Sequence, residues 1–248
     1  MCIPRPKELT ILRISLCDIL LLYSFDEPLT SFSAHPTLDH LCVVTCLSQL
    51  IELNINKDKH SILLNYRDEA RVESSRKCNI PSYAEYTGID DTIVLWLQAR
   101  LYLIKPDGSV ISSIQLKNTQ PLQQRIRIDP DKKRCIIACR NEITTYSLPS
   151  FDVEQSYRDT VNDSPWKCID YYSKENLILA LPEVYVSEGP VFYLLPSESD
   201  IDSQIYREPQ EKLCWGIIHP SGNTLLFCDD DGGIVLFRRI KKEFTWSV

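Results

Sequence analysis

The chain has 248 residues, 44% hydrophobic and 25% charged, so it is long enough to bury a core and has neither low-complexity tracts nor a disordered composition. A formal net charge of -7 and a pI near 5.2 argue against sequence-independent nucleic-acid binding by the chain as a whole.

From the N-terminus, the first apolar stretch is LTILRISLCDILLLY, from Leu9 to Tyr23. Arg13 and Asp18 interrupt it, and the unbroken run Ile19 to Tyr23 is far too short to cross a bilayer or to serve as a signal-peptide core. The stretch predicts two strands of a partial unit within residues 1–27. From Pro28 onward a strand, a polar turn and further strands recur. The turns begin at His35, Gly88, Asp129, Ser173 and His219, a repeat of about 41 to 53 residues.

The residues of three repeats show the pattern. From Ser82 the chain reads SYAEYTG, the turn IDD, TIVLWLQ, ARLYLIK, the turn PDG, and SVISSIQL. The next repeat reads QQRIRID, the turn PDKK, RCIIAC, NEITTYS and a weaker run after Pro149. The last reads KLCWGIIHPSGN, TLLFCDD, the turn DGG, IVLFRR and EFTWSV. The second and third runs are continuously apolar, as strands covered on both faces require. No stretch reads as an amphipathic helix of about ten residues.

The expected architecture is therefore all-β: a WD40-like β-propeller of about five to seven blades, with one partial blade at the N-terminus. Residues 1–248 form a single domain, the partial first blade covering 1–27 and the others 28–248. A β-sandwich of similar strand count is the alternative. With only seven glycines, Asn, Asp and Pro must carry many of the turns.

Ten cysteines would mark a disulfide scaffold in a short secreted chain, and this chain is neither short nor signal-bearing. Cys42 with Cys46, and Cys135 with Cys139, are each four apart. On a strand each pair shares one face, roughly 13 Å apart and beyond the span of one zinc ion. Buried reduced thiols and a reducing compartment are expected.

Catalytic signals are absent: no phosphate-binding loop, zinc-protease helix or nucleophile elbow occurs. The histidines, His35, His40, His60 and His219, belong to no nucleophile or metal constellation. Asp229 to Gly233 lacks the spaced ligands of a calcium loop and reads as a hairpin turn. Arg238, Arg239, Lys241 and Lys242 form the densest basic cluster and read as a solvated strand edge. No metal, cofactor, small-molecule substrate or membrane is expected, and the protein is expected not to be an enzyme.

One segment is more specific. YRDTVNDSPWKCIDYYSKENLILAL, from Tyr157 to Leu181, contains Asp159, Val161, Asn162 and Trp166 in the pattern Asp, any residue, Val-Asn, three residues, Trp. This resembles the WD-repeat propeller subunit of the COMPASS (Set/MLL) histone H3 lysine-4 methyltransferase complex, the retinoblastoma-binding protein 5 family. EKLCWGIIHPSGN is similar to that family's last blade, GGIVLFRR to its closing strand and Trp246-Ser247 to the pair just after it. The likeness runs from about Pro28 to Val248.

The resemblance implies a non-catalytic nuclear scaffold that supports assembly or activation of the methyltransferase on chromatin. Its partners would be a SET-domain methyltransferase, a SPRY-domain subunit and a second WD-repeat subunit, with the nucleosome contacted indirectly. Asp159, Val161, Asn162 and Trp166 become the candidate partner-binding residues. From the residues alone Trp166 reads equally as a core aromatic and Asn162 as a turn former. Relative to the family the sequence is shortened at both ends, lacking after Trp246 the tail that clasps the methyltransferase. Asp163 stands where many members carry a basic residue facing DNA, so direct phosphate contact there is not expected. A WD-repeat adaptor of another complex (RNA processing, ubiquitin ligation or trafficking) is the alternative, and a propeller hydrolase a third reading.

Overall fold

The computed structural model of the chain describes residues 8–13, 18–38, 41–46, 48–57, 59–66, 82–97, 99–116, 125–139, 142–158, 166–175, 177–182, 191–196, 204–207, 213–219, 221–229, 233–239 and 246–247. The described residues hold 22 strands, with no helix beyond two short 3-10 turns at Ile55–Lys57 and Ser173–Glu175. The chain divides into two compact units, Met1–Leu122 with Pro149–Phe151, and Gln123–Leu148 with Asp152–Val248.

The first unit opens with the hairpin β1 (Glu8–Arg13) and β2 (Asp18–Ser24), Glu8 opposite Ser24 and Arg13 opposite Asp18. This is the two-stranded partial blade read from the apolar N-terminal stretch. Two four-stranded antiparallel meanders follow. The first runs β3 (Leu29–Ala34), β4 (Leu41–Cys46), β5 (Gln49–Asn54) and β6 (Lys59–Asn65). The second runs β7 (Ser82–Tyr86), β8 (Ile93–Leu97), β9 (Arg100–Ile104) and β10 (Val110–Gln115).

The second unit holds three such meanders. They are β11 (Arg125–Asp129), β12 (Arg134–Cys139), β13 (Glu142–Ser147) and β14 (Val153–Arg158); β15 (Trp166–Tyr172), β16 (Leu177–Pro182), β17 (Val191–Pro196) and β18 (Gln204–Arg207); and β19 (Leu213–Ile218), β20 (Thr224–Asp229), β21 (Ile234–Arg239) and β22 (Trp246–Ser247). Five complete blades and one partial blade are thus present among the described residues, within the range the repeat spacing set.

Strand alternation explains how the blades stack. In β16 the odd positions Leu177, Leu179 and Leu181 join Phe227, Leu225 and Phe237 of the following sheet, while Ile178 and Ala180 join Ile136, Ala138 and Ile143 of the preceding one. A continuous apolar run is what a strand buried on both faces needs. In β4, likewise, Val43 packs toward the next sheet with Leu95 and Ile104, and Cys42, Val44 and Cys46 share the opposite face. Fourth strands differ: β6, β10 and β14 are largely exposed, as strands at a sheet edge are.

Polar clasps tie neighbouring sheets of the first unit. His35 Nδ1 accepts the backbone N–H groups of Thr37 and Leu38 at 3.2 and 3.0 Å, so Nε2 carries the proton and donates to Asp91 at 3.0 Å in the next sheet's turn. Deeper in, Ser82 Oγ, fully buried on β7, lies 2.8 Å from Thr30 Oγ1 and 3.1 Å from the Tyr66 hydroxyl, and donates to the Cys46 carbonyl. Buried hydroxyls are tolerated because each finds a partner. Backbone approach is close where Gly108 (φ +83°) meets β6: a Cβ there would lie 2.1 Å from the Leu63 carbonyl oxygen. Only glycine fits both the space and the left-handed conformation.

Candidate partner-binding site

The connection from β14 to β15 carries the string singled out in the sequence, and Trp166 is the first residue of β15. Asp159, Val161 and Asn162 lie outside the described residues. The Trp166 side chain is 1% exposed and belongs to the core between the β11–β14 and β15–β18 sheets, with Ile136, Ala138, Ile143, Ile169 and Ile178. Tyr157, near the end of β14, packs its ring 6.1 Å from the indole at 46°. β14 and the start of β15 thus meet in one aromatic contact.

Four residues along β15 sits a group that sequence reasoning did not single out. Asp170 projects from an apolar strand, its side chain 15% exposed, and is held by both neighbouring sheets. Arg127 Nε of β11 donates to Oδ1 at 2.8 Å, and the Ile218 backbone N–H of β19 donates to Oδ2 at 2.7 Å. A carboxylate so poorly hydrated persists only when its lone pairs are taken up by a cation or amides. Next to it, the Tyr171 hydroxyl donates to Asp129 Oδ2 at 2.7 Å, again linking β15 to β11. One carboxylate therefore ties the first strands of three consecutive sheets.

The signal available in the sequence was the charge itself: an Asp inside the run WKCIDYY implies a buried partner. Spacing alone names no partner, because Arg127 and Ile218 come from strands 43 and 48 residues away. On the other side of β15, the turn after β19 leans on Tyr172: a Cβ on Gly222 (φ +71°) would lie 2.4 Å from the Tyr172 ring. β15 is thus contacted from both neighbouring sheets.

Other candidates are placed as follows. Cys42 and Cys46 are buried on one face of β4; burial, aided by the Glu52 carboxylate for Cys42 and by Glu27 for Cys46, pushes both thiols up to about 11. Both stay protonated near neutrality and are poor nucleophiles and poor metal ligands. Among the described residues no group of three His, Cys, Asp or Glu side chains could hold a metal ion. No helix among them is long and apolar enough to cross a membrane. Arg238 is exposed on β21; Lys241, Lys242 and residues 230–232 lie outside the described residues. The strands on either side of that segment, β20 and β21, pair antiparallel with Cys228 opposite Ile234.

No protein-family model and no curated protein matches the sequence. Among solved structures, the β-propeller domain of Cps50 (Swd1) from Myceliophteria thermophila superposes with a TM-score of 0.77 at 15% identity, covering 98% of this chain and 76% of that one. The chain is a WD40-like β-propeller. In all, 1083 solved chains match it, so the fold by itself selects no single partner.

Proposed function

We propose that this chain is a non-catalytic scaffold subunit of a COMPASS-like histone H3 lysine-4 methyltransferase complex, acting in the nucleus. The observation that carries the reading is the string Asp159, Val161, Asn162 and Trp166 at the entry to β15, which resembles the retinoblastoma-binding protein 5 family. The fold is consistent with it, since the neighbour Swd1, a COMPASS subunit, is also a β-propeller. In this reading Asp159, Val161 and Asn162 meet a partner, while the buried indole and the Asp170 bridge hold β15 between its neighbouring sheets.

A scaffold of this kind acts by population shift: binding the competent arrangement of a methyltransferase better than the open one raises the fraction able to react. Rigid stacked sheets suit that task, because displayed loops bind without a large ordering cost. The partners are a SET-domain methyltransferase, a SPRY-domain subunit and a second WD-repeat subunit, with the nucleosome reached through them.

The deciding experiment reconstitutes the chain with those three subunits and measures methylation of histone H3 lysine 4 on nucleosomes. Complex formation with a raised methylation rate, lost on combined Asp159→Ala and Asn162→Ala substitution, is the expected result. A folded chain that neither binds nor changes the rate overturns the proposal. Enrichment of unrelated machinery from nuclear or cytosolic extract, with no methyltransferase subunit present, would assign the adaptor role instead.

A further inference from the structure

The β3–β4 turn of the first unit is closed by a side chain. Its own backbone bonds run from the His35 N–H to the Leu41 carbonyl at 2.9 Å and from the Leu41 N–H to the Leu38 carbonyl at 3.1 Å. The Thr37 and Leu38 amides have no backbone acceptor among the described residues, and Pro36 has no N–H to place. His35 Nδ1 takes both amides, at 3.2 Å from Thr37 and 3.0 Å from Leu38. Nδ1 accepts through a single lone pair, which it has only while unprotonated. A proton there sets a third N–H donor against the other two.

The opposite ring nitrogen faces the next sheet. Nε2 lies 3.0 Å from Asp91 Oδ1 in the β7–β8 turn, the His35 side chain 2% exposed and that of Asp91 61%. The carboxylate suits a charged ring, whereas the amides of the β3–β4 turn require a neutral one. Tyr86 of β7 packs edge-on to the ring at 4.6 Å and donates to Glu52 of β5. Burial and the Glu52 carboxylate push the Tyr86 hydroxyl far up, and burial pushes Cys42 of β4 up to about 11, so both stay protonated near neutrality. Asp90, exposed beside Asp91, supplies the remaining carboxylate of the β7–β8 turn.

We propose that His35 is a proton-operated switch: on taking up a proton the ring releases the Thr37 and Leu38 amides, opening the β3–β4 turn, and keeps its hold on Asp91. The two sheets stay joined, because the link to Asp91 becomes an ion pair. Histidine is the side chain whose ordinary titration range spans neutrality, so the switch works over mildly acidic pH. It involves no methyltransferase and stands apart from the function proposed above.

Hydrogen exchange on the full chain, from about pH 7.5 down to about pH 5, reads the switch as protection factors, which remove the intrinsic pH dependence of exchange. Expected is a fall of about tenfold in protection at Thr37 and Leu38, with the amides of β4 and β8 keeping theirs. The ring-nitrogen NMR signals of His35 should show Nδ1 bare at the upper pH and protonated at the lower. Asp91→Asn keeps an acceptor for Nε2 and suits the left-handed backbone at this position (φ +53°), but removes the charge that favours the proton. It should move the fall to lower pH. His35→Gln should abolish the fall, and where that variant does not fold, Asp91→Asn carries the test. His40→Gln, a control close in sequence, should leave the fall as it is. Constant protection at Thr37 and Leu38, a fall shared by β4 and β8, one that His40→Gln abolishes, or one that Asp91→Asn leaves at the same pH would each overturn the proposal.

Discussion

Trp166 is the residue on which the specific sequence signal and the structure meet. Its indole is buried in an inter-sheet core, in ring contact with Tyr157. Trp166→Ala is therefore expected to destabilise the fold by about 3 to 5 kcal/mol, by transfer and cavity costs together, read as a shift in the urea midpoint. Unchanged stability with lost partner binding would assign the ring to a contact instead. At the same scale, Cys42 and Cys46 have folded-state pKa values raised to about 11 by burial. The stability they confer is fully present below the ordinary thiol value and is lost as pH rises toward 11, because the unfolded thiols release their protons first. The melting temperature should decline through that window, and should decline less in a Cys42→Val, Cys46→Val double variant, which isolates the thiols from lysine titration.

The relevant elements are the first strands β11, β15 and β19, which share no main-chain ladder because each opens a separate sheet. Apolar stacking between sheets is non-directional and sets no fine register. Asp170 supplies that direction by accepting from Arg127 and from the Ile218 amide, fixing β15 laterally between its neighbours. Asp170→Ala removes the acceptor that both donors share and should cost about 2 to 3 kcal/mol. Asp170→Asn keeps one oxygen for the Ile218 N–H and should cost less. If the Asn and Ala variants melt together, the amide bond contributes nothing, and the bridge reduces to its ion pair. The His35 to Asp91 clasp does similar work in the first unit, drawing the turns of adjacent sheets together with a neutral imidazole.

For the molecule as a whole, acidity is the dominant electrostatic fact. A net charge of -7 repels phosphate at long range. The isolated chain is expected to leave the mobility of duplex DNA unchanged at physiological salt in a gel-shift assay. Retardation there would show that local charge outweighs the net charge and that the chain contacts DNA directly.

The blade architecture was legible in the sequence because it rests on local physics. Turn residues punctuate the chain at near-constant spacing, and an apolar run such as TIVLWL has no stable place except a strand covered on both faces, as β8 is. The two N-terminal strands followed from Arg13 and Asp18 interrupting an otherwise apolar stretch, and the fourth strands from their weaker patterns. Which blades touch through which groups was decided only by the tertiary structure. Asp170 with Arg127 and Ile218, Ser82 with Thr30 and Tyr66, and Gly108 against Leu63 join residues far apart in the chain. A charge or hydroxyl in a strand announces that it needs a partner, but the identity of that partner depends on how separate sheets are superposed.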